Sequence, residues 1–188
     1  MNDIIIKSIS EHFNLEEFSK NILPNKIDEV SKVIIDTLKK NNKIMWCGNG
    51  GSASQAEHLS AELIGGLNKK KIDPFFSLCL NSDSSFITAW SNDCGFNEIF
   101  SRQVKAYGGK NDVLILLSTS GNSKNQIDAA KLAKQLGIVI ISFTGNSGGE
   151  LKDLSDFNIN IQSNSTQRIQ ELHIMIGHII CDVVESSF

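Results

Sequence analysis

The sequence predicts an α/β fold in which a parallel sheet is covered by helices on both faces, with a helical segment ahead of it. Three observations carry that reading. Short apolar runs alternate with stretches of helical periodicity; the runs are apolar at consecutive positions, as strands buried on both faces are; and several runs end in loops rich in Gly, Ser and Asn. At 188 residues, 40% of them hydrophobic and 21% charged, the chain fits one domain with a sizeable core.

The first forty residues read as two helices separated at Pro24, a residue that a first helical turn tolerates. Ile27, Val30, Ile34 and Leu38 then recur at helical spacing. Lys43 to Cys47 is the first strand and runs into the Gly-rich CGNGGSAS and a helix. Phe75 to Leu80 is the second strand, followed by SDSSFITAW. Asp112 to Leu117 is the third; it enters STSGNS and a helix through Leu136. Ile138 to Phe143 and Phe157 to Ile161 are the fourth and fifth. Ser165 to Glu185 closes the chain as one helix, with Ile169, Leu172, Ile176, Ile179 and Val183 as its core stripe. In sheets of this kind ligands sit at the carboxyl ends of the strands.

A net charge of −3 argues against a polyanion partner, since nucleic-acid binding draws on a basic surplus, and Lys69-Lys70-Lys71 is most simply a solvated loop. The opening MNDIIIKSISEHF mixes charge and polarity too often for a signal peptide, and no run nears the roughly 20 apolar residues of a membrane span. A soluble, cytoplasmic protein is expected, with no nucleic-acid or membrane partner. Cys47, Cys79, Cys94 and Cys181 are scattered without a C-x-x-C pair, which fits buried thiols in a reducing compartment.

Two loops invite a phosphate. Ser118-Thr119-Ser120-Gly121-Asn122-Ser123 offers four hydroxyls and backbone N–H groups at a helix start, with Gly121 allowing close approach. A single cap residue would suffice to start a helix, so six small polar residues in a row exceed what capping requires. Asn49-Gly50-Gly51-Ser52 forms the second loop. It fits neither G-x-G-x-x-G nor a Walker motif, which disfavours a nucleotide; on its own it reads equally well as a tight turn.

His58 and Glu62, four apart, share a helix face just beyond that loop. In the last helix Gln170, Ile174, His178 and Cys181 form a side stripe. Two helices thus offer His58, Glu62, Gln170 and His178 to one point, a set suited to Zn²⁺ or a similar divalent ion, although an i,i+4 His/Glu pair is more often a surface hydrogen bond. His173 fits neither stripe and reads as structural. His12 reads as a surface residue without partners.

Three blocks, CGNGGSASQAEHLSAEL, LLSTSGNS and QRIQELHIMIGHII, joined by SNDCGFNEIFSRQ, resemble the phosphoheptose isomerases of the sugar isomerase (SIS) domain superfamily. The resemblance runs from about Asn42 to the C-terminus. It implies a three-layer, flavodoxin-like parallel sheet, one SIS domain over residues 1–188 with residues 1–41 as a helical segment used in oligomerisation, and a homotetramer with sites between subunits. It implies isomerisation of sedoheptulose 7-phosphate to D-glycero-D-manno-heptose 7-phosphate, for lipopolysaccharide or capsule, with one Zn²⁺ per subunit on His58, Glu62, Gln170 and His178. Substrate contacts fall on Asn49, Gly50, Gly51, Ser52, Glu62, Asn92, Asp93, Ser118, Thr119, Ser120, Ser123 and Gln170. Ketose–aldose interconversion through an enediol calls for a base and an acid, for which Glu62 and His178 are the candidates. Many relatives carry Asp where this chain has Gln55, and Asp, Ala or Pro where it has Gln167.

Two alternatives share the fold. A non-catalytic SIS-domain protein that associates with the bacterial replication initiator typically lacks the acid at position 62 and the histidine at 178, and this chain has both. An isomerase or sensor for another sugar phosphate, such as the arabinose 5-phosphate type, usually lacks this GNGGS start with His and Glu so placed.

Overall fold

Each strand sends alternate side chains to opposite sides of the sheet, and apolar residues at both sets of positions let helices cover both. The computed structural model describes residues 2–20, 23–68 and 73–188, so Lys69-Lys70-Lys71 lies outside the described residues. Two helices open the chain, α1 (Asn2–Ser19) and α2 (Leu23–Lys39), with Pro24 in the first turn of α2. Strand β1 (Ile44–Gly48) leads into α3 (Gly51–Gly65), and β2 (Ser77–Cys79) into α4 (Ser84–Asp93) and, after a 3₁₀ turn, α5 (Ile99–Tyr107). Then follow β3 (Val113–Ser118), α6 (Lys124–Leu136), β4 (Val139–Gly145), α7 (Gly149–Leu154), β5 (Phe157–Ile161) and α8 (Thr166–Ser186).

Among the described residues the strands form one parallel sheet of order β2-β1-β3-β4-β5. This is the flavodoxin-like order, and its direction reverses between β1 and β3. Ile44, Trp46, Ile115, Leu117, Ile141 and Phe143 pack with α2, α3 and α8 on one face. Met45, Cys47, Leu114, Leu116 and Ile140 pack with α5, α6 and α7 on the other. The result is the expected three layers.

The strand ends differ from expectation by a residue or two, and β2 is shorter than Phe75 to Leu80. Its flanks still bond to β1, Ile44 N–H to Phe76 O at 2.9 Å and Leu80 N–H to Trp46 O at 2.8 Å. In α8 the core stripe departs from the reading above: Ile179 and Val183 are 40% and 39% exposed, while Ile180, Cys181 and Val184 are buried. Steps of seven residues drift by about 20° per heptad from an α-helix's buried line, so the true stripe slips one residue onward and takes Cys181 out of the side stripe. Cys94, at the C-terminal end of α4, is exposed, unlike the other three cysteines.

His12 is not partnerless: its Nδ1 lies 2.7 Å from Glu171 Oε2. Glu171 also receives Arg168 Nη2 at 2.6 Å, and Arg168 Nη1 donates to Ser8 O at 2.6 Å, so α1 is fastened to the start of α8.

Candidate functional site

Helices α3 and α8 run side by side in the same direction, Gly51 meeting Gln170, Leu59 meeting Gly177 and Leu67 N–H reaching the buried Glu185 carboxylate at 2.7 Å. The absence of a side chain on Gly177 lets them come close. As a result the residues next to that contact, His58 and His178, stand with their Nε2 atoms 2.7 Å apart, although 120 positions separate them in sequence. Glu62 Oε1 is 3.5 Å from His58 Nε2. One ligand atom from each of His58, Glu62 and His178 falls within 4.8 Å of the other two.

Two imidazole nitrogens and a carboxylate oxygen at one point are a donor set suited to a divalent metal ion, three protein ligands that leave a position open. The two Nε2 atoms bond to each other through at most one proton, whereas a divalent ion draws both lone pairs, so the residues present fit such an ion. Gln170, just over two turns before His178 on α8, sets its amide against Gly51, with Nε2 3.4 Å from Ser52 Oγ. The Cys181 thiol is buried. Burial above all, then the charges of Glu62 and Glu185, push it up to about 12.

The Ser-rich loop leaves β3 at the carboxyl edge of the sheet and ends on the first residues of α6. Ser118 Oγ and Ser123 Oγ face each other at 3.1 Å, and Ser120 Oγ accepts the Asn122 N–H at 3.1 Å. Gly121 has φ 66°, and a Cβ there would stand 1.9 Å from Gly148 O, so only glycine lets this loop touch the β4 loop. Glu150 N–H to Asn122 Oδ1 at 3.0 Å and Leu151 N–H to Gly121 O at 3.0 Å complete the contact.

A cavity of about 240 Å³ opens on that side of the loop, lined by Thr119, Ser120, Asn122, Asn146, Ser147, Ser163, Asn164, Thr166 and Ile169. Every lining residue but Ile169 is polar and none is charged. It adjoins the Ser-rich loop rather than the His–Glu–His trio, and sequence reasoning found only its first wall. Asn146, Ser147, Ser163 and Asn164 come from loops after β4 and β5 whose composition is that of any turn.

On the β1 side, Gly50 and Gly51 turn the chain into α3, and Ser52 is buried. The Asn49 amide is committed to Asn125, so in this arrangement its backbone is what it offers a ligand. Asn92 and Asp93 are exposed at the end of α4 and bond to one another at 2.8 Å. His173 is buried as a structural residue. Its Nε2 is 3.1 Å from Thr144 O, and burial above all lowers it to about 4.

Comparison with known proteins gives a consistent picture. The SIS domain model matches residues 13–145. A phosphoheptose isomerase of Akkermansia muciniphila is 45% identical over 161 residues, covering 85% of this chain and 84% of that protein. One from Helicobacter pylori strain P12 is 43% identical over 190 residues, covering 100% and 97%. Among solved structures, a phosphoheptose isomerase from Francisella tularensis superposes with a TM-score of 0.95 at 32% identity, covering 98% of this chain and 97% of that one.

Proposed function

Because this chain belongs to the phosphoheptose isomerases of the SIS-domain family, we propose that Glu62 and His178 move the protons that interconvert sedoheptulose 7-phosphate and D-glycero-D-manno-heptose 7-phosphate. The observation that carries the assignment is the meeting of His58, Glu62 and His178 from two helices.

The chemistry asks for few groups. A proton leaves the carbon beside the ketone, an enediol forms, and a proton returns to the neighbouring carbon while the oxygens exchange theirs. Glu62 is the base that takes the carbon-bound proton and returns it. His178, across from it, gives and takes the proton at oxygen. The metal is assigned to His58, Glu62 and His178, with Gln170 as a fourth ligand once its amide turns from Ser52. A zinc ion bound there supplies Lewis-acid stabilisation of the negative charge that develops on the sugar oxygens.

Ser118, Thr119, Ser120 and Ser123 hold the phosphate by hydroxyls, backbone N–H groups and the start of α6, which needs no lysine. The neutral polar cavity beside them suits a dianion and its hydroxylated chain, since no carboxylate lines it. Gly50, Gly51, Ser52 and Gln170 meet the sugar from the β1 side, together with the Asn49 backbone, and Asn92 and Asp93 close the set. Within one domain spanning 1–188, residues 1–41 serve assembly into a tetramer: α1 shows Ile5, Ile9 and Phe13 to solvent at 53%, 52% and 60% exposure, one helical turn apart. The product belongs to cytoplasmic heptose synthesis for surface polysaccharide. Incubating purified protein with sedoheptulose 7-phosphate and following the aldose tests the reading; no aldose from metal-loaded protein would defeat it.

A further inference from the structure

The strand order reverses between β1 and β3, and the crevice at such a reversal is where ligands enter sheets of this order. The two proposed substrate loops flank it. Beyond the strand ladder, two hydrogen bonds join the segment 48–52 to the segment 118–126 among the described residues, and both belong to one amide pair. Asn49 Nδ2 donates to Asn125 Oδ1 at 2.9 Å, and Asn125 Nδ2 donates to Asn49 Oδ1 at 2.9 Å. Asn125 is 2% exposed. A neighbouring amide works in the same way: Asn81, after β2, accepts the Gly48 N–H at 3.1 Å and donates to Gly48 O at 2.9 Å.

We propose that Asn125 is a positioning residue for the isomerisation, fixing through its pair with Asn49 the gap between the Gly50–Ser52 backbone and the Ser118–Ser123 loop. The inference rests on the reading that these loops hold the sugar phosphate. Anchoring α6 does not require the pair, because Ile127, Ala129, Ala130 and Ala133 already bury that helix against the sheet. A neutral amide pair also suits the place, since either carboxylate would set a negative charge beside the phosphate loop. A buried amide deprived of its partner is costly, so the pair acts as a unit.

The test is a double-mutant cycle on the full-length, metal-loaded protein with Asn49→Ala, Asn125→Ala and the double variant. It measures kcat, KM for sedoheptulose 7-phosphate, the dissociation constant of inorganic phosphate and zinc content. Each single variant is expected to raise KM and weaken phosphate about tenfold, with kcat within about threefold and zinc unchanged, and the double variant to be no worse than either single. Wild-type KM in Asn125→Ala overturns the proposal. Additive losses overturn it too, because they mean that Asn49 meets the substrate on its own. If Asn125→Ala does not fold, Asn125→Ser shortens the side chain away from Asn49 without adding charge, and unweakened phosphate binding in that variant overturns the proposal equally. Absence of isomerisation by the wild type would defeat the functional reading, while the phosphate measurement still decides the role of the pair.

Discussion

Gly177 has no room for a Cβ: one built there would stand 2.4 Å from Leu59 Cδ1. That contact sets the approach of α3 and α8, and His58 and His178 meet one residue away from it. Gly177→Ala should therefore push the helices apart and separate the imidazoles. Overpacking of this kind costs about 1–3 kcal/mol, but the sharper expectation is loss of stoichiometric metal from protein that still folds. Metal content and thermal denaturation measured together check it.

Metal ligation makes its own prediction. Protein purified without chelator should carry about one zinc per chain, and His58→Ala, Glu62→Ala and His178→Ala should each lose it. Gln170→Ala should retain the ion with lower affinity, because it contributes the ligand that must turn. Elemental analysis with a chelator competition series distinguishes these outcomes.

His173 gives a pH dependence of stability with a definite sign. Burial holds its folded-state value at about 4, below the usual 6.5, so the unfolded chain binds the proton first as pH falls. Stability is full above pH 6.5 and declines down to about pH 4. Between pH 7.5 and 4.5 this group accounts for roughly 2–3 kcal/mol. Urea unfolding of wild type and His173→Leu at both pH values should show a smaller pH loss in the variant.

Asp112 is a structural carboxylate, buried at the amino end of β3. Burial pushes it upward, yet bonds from Lys43 Nζ and N–H, Gly109 N–H and Asn42 Nδ2 outweigh burial and leave it below its ordinary value. Asp112→Asn should destabilise the fold by about 3 kcal/mol while leaving phosphate affinity unchanged, since it strands Lys43 far from the loops. Denaturation and phosphate titration report the two separately.

If α1 serves assembly, charge on its apolar side should break it. Ile5→Glu with Ile9→Glu is expected to lower the solution mass measured by light scattering from that of a tetramer. An unchanged mass would assign the α1 face another role.

Much of this was legible in sequence because it follows from periodicity. Strands apolar on both faces announced the three layers, and the spacing of His58 and Glu62 announced one helix face. What was not legible depends on distance between elements. Asn125 looks like an ordinary polar residue at a helix start, and only the β1–β3 crevice reveals its partner. His12 had no visible partner until α1 lay across α8. Ile179 and Val183 satisfied a heptad that the straight helix does not keep. Gln170 shares a stripe with His178, yet its amide bends toward Ser52, which no spacing rule reports.

The most direct test follows sedoheptulose 7-phosphate by NMR with zinc-loaded wild type, Glu62→Gln and His178→Gln. Wild type is expected to give aldose 7-phosphate, and each variant to lose at least about 10²-fold in kcat with inorganic phosphate still bound. Turnover by Glu62→Gln within about tenfold of wild type would contradict the role of Glu62 as the base.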